Sequence, residues 1–388
     1  MDAAGSGMDA AGSGMDAAGL GMGAAAKRVF LTGIVERSRA GEASQNKLTE
    51  LVSLAETLGL TICGSLPVTV RERNPRYGMG SGKAQEVVET ARVAGAECII
   101  FDGELSPARQ RNWEILADLA VLDRQELIIQ IFASRARTRE AVLQAELAQL
   151  LYDLPRLSHK YIDLSRQRGG RYGTRGAGET RLEADKRKIR QRISALKRGI
   201  EEVRRNRDIQ HKQREKQGTS VCALVGYTNA GKSSLHRVLT GSDVLVEDKL
   251  FATLDPTARR VSRVNPGGVH KNIIVVDTVG FIRKLPHNLV DAFRSTLEEA
   301  ARADVLVHVL DAADPAREKH QATVLEVLRE LGAGETPRIT AFNKADLLSN
   351  SQKSALQTSS GETGCLISAK NRLGLENLWS LIEKTLKF

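Results

Sequence analysis

An apolar run, Val221–Val225, leads into Gly226-Tyr227-Thr228-Asn229-Ala230-Gly231-Lys232-Ser233, and the residues after it, Ser234–Leu239, read as a helix. A strand, a glycine-framed loop of spacing GxxxxGKS and a helix start, in that order, commit this stretch to an α/β phosphate-binding unit. Glycines let the backbone curl and aim its N–H groups at phosphate oxygens, and the helix start adds its positive dipole end. Lys232 is placed to reach β and γ phosphates, and the Ser233 hydroxyl to hold Mg²⁺.

Three further tetrapeptide-scale motifs follow, each after an apolar run. Asp277-Thr278-Val279-Gly280 closes the run Ile273–Val276. A carboxylate at a strand end can hold Mg²⁺, and a glycine N–H can approach a γ-phosphate. Asn343-Lys344-Ala345-Asp346 places a carboxylate where a base can donate to it. Guanine offers N1–H and an exocyclic amine to one carboxylate and adenine does not, so Asp346 selects guanine. Ser368-Ala369-Lys370 offers small residues and backbone N–H groups to the guanine O6. Taken singly, DxxG is most often a turn and NKxD a helix cap. Their joint order carries the signal.

This set resembles a Ras-like G domain over residues 219–388. The wording of the phosphate loop, of Phe251-Ala252-Thr253-Leu254-Asp255-Pro256-Thr257 and of Asp277–Phe281 is similar to the HflX family of the Obg–HflX superfamily, among the TRAFAC-class translational GTPases. The resemblance implies that Phe251, Ala252, Thr253 and Leu254 lie in the first switch, with Thr253 closing onto Mg²⁺ and Thr257 a second candidate. It assigns Lys232, Thr253 and Gly280 to catalysis and Ser233, Thr253 and Asp277 to the metal. Phe281 stands where Ras-like proteins carry a water-orienting glutamine, so intrinsic hydrolysis is expected to be slow and to need a partner. Asn229 has two readings: the asparagine of K⁺-stimulated GTPases, with K⁺ neutralising transition-state charge, or an ordinary turn residue.

Charge placement points to that partner. The net charge is +10, yet Arg156–Lys216 holds 20 Lys and Arg against 8 Asp and Glu, an excess of +12 that leaves −2 for the rest. A solvated helical face can carry part of this; an excess so concentrated fits a polyanion, nucleic acid above all. Leu143, Leu147, Leu150 and Leu154 form one helical stripe, starting near Thr138, with Pro155 marking its end or a kink. Leu182, Ile189, Ile193, Leu196, Ile200 and Val203 form another. Two such stripes can close on each other as a hairpin. Between them, residues 166–179 are glycine-rich and basic, with the helix expected to restart at Glu179. Arg166, Arg168, Arg171, Tyr172 and Arg175 are candidates for RNA contact, arginines on phosphate and the tyrosine on a base; the alternative is a loop without a partner.

The front of the chain alternates. Residues 29–34, 62–70, 97–101 and 119–122 read as strands, and residues 46–58, 84–93, 107–116 and 126–135 as helices, which predicts a parallel sheet covered by helices. Gly80-Ser81-Gly82-Lys83 is too short for a phosphate loop and reads as a helix start. Here too Gly80–Lys83, Phe101–Pro107, Asp123-Arg124, Ile131–Ala136 and Arg175–Thr180 resemble HflX signatures. The resemblance implies a GTPase that binds the large ribosomal subunit and its rRNA and separates stalled or idle ribosomes. A large-subunit assembly GTPase and an ATP-dependent RNA remodeller remain alternatives. Two departures stand out. Many bacterial relatives carry a small further C-terminal domain beyond a point corresponding to Lys370, and the loop here reads Gly170-Arg171-Tyr172-Gly173 and Arg175-Gly176-Ala177-Gly178.

The expected architecture is α/β: a repeat-rich tail (1–26) without structure or targeting signal, an N-terminal parallel α/β domain (27–136), a long basic helical hairpin (137–217) and a C-terminal Ras-like P-loop G domain (218–388). Four scattered cysteines give no metal spacing, and no apolar run reaches the roughly 20 residues of a membrane span. The expectation is a monomeric protein of a bacterial or organellar cytoplasm, with peripheral membrane association left open.

Overall fold

The two sheets of this protein are built on one plan, and a shared apolar core joins them. The structure is a computed structural model that describes residues 28–36, 48–70, 72, 74–157, 175–216, 219–241, 250–251, 257–264, 270–283, 300–359 and 361–387. The 1–26 tail, residues 166–174 of the basic loop and Ala252–Pro256 lie outside the described residues.

The N-terminal unit runs β1 (Arg28–Glu36), α1 (Thr49–Thr57), β2 (Thr61–Val70), α2 (Ser81–Val93), β3 (Cys98–Phe101), α3 (Pro107–Ala117), β4 (Ala120–Asp123) and α4 (Arg124–Arg135). The sheet is parallel, in the order β2-β1-β3-β4. Alternate residues face opposite layers: Phe30, Ile99 and Val121 pack under α2 and α3, while Val29, Leu31, Ile100 and Leu122 pack with α1 and α4. Pro67 is tolerated because β2 is an edge strand. Gly80 caps α2, and Lys83 pairs with Glu86 at the surface, so this glycine pair begins a helix.

The hairpin pairs α5 (Arg139–Asp153) with α6 (Arg175–Lys216). Thr138 caps α5, its hydroxyl accepting from Ala141 N. Leu147, Ile193 and Leu196 are buried between the helices, with Leu143, Leu150, Leu154, Ile189 and Ile200 around them, as the two stripes predict. One boundary differs. Helix α6 begins at Arg175 and not at Glu179, so the loop is shorter than expected and Arg175 belongs to a helical turn. Gly176 and Gly178 each cost about 1 kcal/mol relative to alanine, but extending an existing helix adds a hydrogen bond per residue, and propagation wins.

The joint between hairpin and N-terminal unit is polar and buried. The Tyr152 hydroxyl lies 3.2 Å from Asp123 and 3.0 Å from Glu126. Arg156 reaches Gln110, Asp123 and the Leu105 carbonyl, and its guanidinium lies 3.5 Å from the Tyr152 ring centroid. Burial, the largest influence, pushes the Glu126 carboxyl up to about 7, against the lowering effect of the Tyr152 hydroxyl.

The C-terminal sheet has the order β10-β9-β8-β5-β7-β6. Its strands are β5 (Ser220–Gly226), β6 (Thr257–Val264), β7 (His270–Asp277), β8 (Val305–Asp311), β9 (Arg338–Asn343) and β10 (Gly364–Leu366), with helices α7 (Lys232–Thr240), α8 (Arg317–Glu330), α9 (Asn350–Ser359) and α10 (Leu375–Thr385). All neighbours are parallel except β6 and β7. Strands β5 and β8 are apolar almost throughout, because a parallel sheet is covered on both faces. Val221, Ala223 and Val225 of β5 share one continuous cluster with Leu31 and Ile100 of the other sheet. Among the described residues no helix is long and apolar enough to cross a membrane.

Candidate nucleotide-binding site

Strand β5 lies between β7 and β8, so the chain leaves it first to one side and later to the other. A crevice opens at the carboxyl ends of the strands at such a reversal, and ligands of open α/β sheets bind there. The motifs converge on it: the loop after β5, Asp277 at the end of β7, Asn343 at the end of β9, and Ser368–Lys370 beyond β10.

The phosphate loop is held from several sides. Gly231 sits at φ +91°, and a Cβ there would lie 2.2 Å from Asn343 Nδ2, so no other residue fits. That Asn343 amide donates to the Ala230 carbonyl at 2.9 Å and accepts from Ala369 N at 3.0 Å, tying phosphate loop, base-recognition segment and closing loop together. Asn229 is exposed with φ +60°, which asparagine tolerates better than most residues.

Lys232 is buried, and its Nζ donates to the carbonyls of Gly226 (3.0 Å) and Tyr227 (2.8 Å). Two of its three donors are thus spent on the loop, leaving one for an anion. Burial lowers its ammonium to about 8, with Asp277 pulling the other way, so an anion beside Nζ would favour the charged form. Gly280 abuts this group: a Cβ there would lie 2.9 Å from Lys232 Nζ and 2.8 Å from Thr228 Cγ2.

Ser233 Oγ donates to Asp277 Oδ2 at 2.6 Å. Asp277 Oδ1 is buried and without a hydrogen-bond partner among the described residues. A hydroxyl beside an unsatisfied carboxylate oxygen is an oxygen donor pair that suits a hard divalent cation. Thr278 serves structure, its hydroxyl donating to the Leu224 carbonyl, and Val279 is buried in the core.

At the base end, Lys344 adopts φ +60° and its ammonium lies 2.7 Å from Asp311. The Ser368 hydroxyl donates to Asp346 at 2.5 Å and accepts from Asn371 N at 3.1 Å, which orients the carboxylate. Lys370 is exposed at the rim. Ser234 lies in the first turn of α7 and Phe251 is buried in the shared core against Phe132, while Ala252, Thr253 and Leu254 lie outside the described residues.

Two candidate residues point away from the pocket. The Tyr227 ring stacks on His320 at 3.8 Å between centroids, and its hydroxyl donates to Glu50 of α1. Phe281 is fully buried and offers no polar atom to orient a water. Glu50, Arg124 and Arg283 surround this corner. Asp123-Arg124 stood out only as a family-like dipeptide, and Glu50 and Arg283 carried no signal in the sequence: they are single charges on segments far apart in the chain.

Known proteins match along the whole arrangement. Residues 45–133 match the family described as GTP-binding GTPase N-terminal, 135–214 the GTP-binding GTPase Middle Region, and 221–344 the 50S ribosome-binding GTPase family. The chain is 48% identical over 328 residues to the GTPase HflX of Akkermansia muciniphila, covering 83% of this chain and 74% of that protein. To the GTPase HflX of Escherichia coli it is 44% identical over 301 residues, covering 78% and 70%. The fold is similar to that of SsGBP crystallised with GDP, at a TM-score of 0.51 and 24% identity, covering 93% of this chain and 98% of that one. With this identity sustained across the N-terminal, middle and nucleotide-binding segments, the chain belongs to the HflX family of GTPases and is a GTP-hydrolysing enzyme.

Proposed function

We propose that this GTPase acts on the ribosome, binding the large subunit through its basic hairpin and separating ribosomes into subunits. The observation that carries the reading is the union of a guanine-type pocket with a 42-residue basic helix. By its rise per residue that helix extends about 60 Å, a lever long enough to enter folded RNA. The 50S ribosome-binding description of the matching family supports the same partner. Arg166, Arg168, Arg171 and Tyr172, the candidates for RNA contact, lie outside the described residues.

In this reading Lys232 and the loop N–H groups hold the β and γ phosphates, Gly280 N–H meets the γ-phosphate, and Asp346 reads guanine. Ser233 and Asp277, with Thr253, hold Mg²⁺, which neutralises phosphate charge when bound. With Phe281 turned inward, ribosomal contact completes the catalytic set, and Asn229 remains the place for a K⁺. The second nucleotide site that ATP-driven remodelling needs has no support, because Gly80–Lys83 only opens α2.

Sedimentation of intact ribosomes with the protein and a non-hydrolysable GTP analogue tests the proposal. Free subunits are expected. Binding to precursor large subunits, with intact ribosomes left whole, would favour the assembly reading.

A further inference from the structure

The N-terminal unit reaches into the nucleotide site through one tyrosine. The Tyr227 hydroxyl accepts from the Arg283 backbone N–H at 2.8 Å and donates to Glu50 Oε1. The other oxygen of Glu50 takes Arg124 Nη2 at 2.5 Å and Arg283 Nε at 3.3 Å. Arg124 also donates to the Arg283 carbonyl at 3.3 Å, and its other nitrogen is anchored on Asp102 at 2.7 Å. One tyrosine hydroxyl therefore ties the phosphate loop, the segment after Gly280 and α1 at a single point.

That segment has a second tie to the loop. Phe281 N donates to the Gly226 carbonyl, and Thr228 N donates to the Phe281 carbonyl at 2.8 Å. Gly280, whose N–H faces the γ-phosphate in the reading above, thus sits between Asp277 on a rigid strand and a clasp at 281–283. The charges are well matched. Burial alone would raise the Glu50 carboxyl, but Arg124, the Tyr227 hydroxyl and Arg283 outweigh it and hold it below the usual range, so Glu50 stays an anion.

We propose that Glu50, acting through Tyr227 and the Arg283 backbone, is a positioning residue that sets Gly280 for the γ-phosphate and so lets the N-terminal unit tune the preference for GTP over GDP. GDP has no group at Gly280, so the part of the relay that runs through Gly280 acts on the triphosphate. Simple docking of two domains would not distinguish the nucleotides.

The experiment uses the full chain without ribosomes, so it stands apart from the ribosomal reading. Affinities for GDP and for the β,γ-imido analogue of GTP are measured for wild type, Tyr227→Phe, Glu50→Gln and the double variant, with thermal melting as the check on folding. Tyr227→Phe keeps the His320 stack and loses only the hydroxyl. It is expected to bind the analogue about tenfold more weakly, the worth of a hydrogen bond to a charged group, with GDP within about twofold. Glu50→Gln retains an acceptor for Tyr227 and should show a smaller loss of the same kind. The double variant should be no worse than Tyr227→Phe, since both act on one relay. Equal effects on both nucleotides, no effect on either, or additive losses in the double variant would overturn the proposal.

Discussion

The phosphate loop and helix α6 spend their polar residues in opposite ways. In the loop, Lys232 is buried against two carbonyls, Ser233 bonds Asp277 and Asn343 bridges two segments. In α6, Lys188 and Arg205 are more than three-quarters exposed and make long contacts along their own helix. A buried polar group must be matched atom by atom, because an orphan costs about 1–3 kcal/mol. A solvated one needs only the right sign and surface. The pocket therefore recognises one ligand by geometry, whereas the hairpin offers a field that any polyanion of suitable shape can enter.

The sharpest way to break the comparison is Lys232→Ala. It should weaken GTP binding at least about 100-fold, roughly 3 kcal/mol, in a fluorescent-nucleotide titration; near-normal binding would remove the phosphate role. Next is Leu196→Ala in the hairpin seam. It should cost about 2–3 kcal/mol in denaturant unfolding of the hairpin while leaving nucleotide affinity unchanged. A joint loss of both would show that the two regions are not separate.

The hairpin joint gives a pH test. The folded pKa of Glu126 is raised to about 7, above its ordinary value, so the folded state favours its protonated form. The stability linked to this group is fully present below its unfolded pKa and is lost as pH rises through about 7, by roughly 3 kcal/mol. Unfolding midpoints of Glu126→Gln against wild type between pH 5 and 8 should show the variant gaining on wild type as pH rises. A difference independent of pH would refute the assignment. The smallest effect is expected for Arg192→Ala. It removes an exposed pair with Glu146 at 2.6 Å and should cost under about 1 kcal/mol by double-mutant cycle.

Legibility followed the range of the interactions. The strands and helices of the front of the chain appear with ends within three residues of those predicted, because periodicity is local. The hairpin stripes found each other for the same reason. The start of α6 was misplaced because two glycines and several arginines look like loop when read alone, although a long helix can extend through them. Lys232, Asp277, Asn343 and Asp346 stood out by spacing, and the structure brings their segments to the same ends of the sheet. Tyr227 was placed in the loop correctly, but the direction of its side chain was not readable.

By itself the sequence determined a phosphate-binding loop, a carboxylate suited to guanine, the strand and helix order and a concentrated basic segment. Each rests on chemistry or periodicity confined to neighbouring residues. Only the tertiary structure decided that Glu50 meets Tyr227, 177 positions away, that Arg124 is buried between Glu50 and Asp102, and that Phe251 packs edge-on against Phe132 at 4.7 Å. Those contacts arise when one face of each sheet is buried in a common core, and burial between distant segments leaves no pattern in either one.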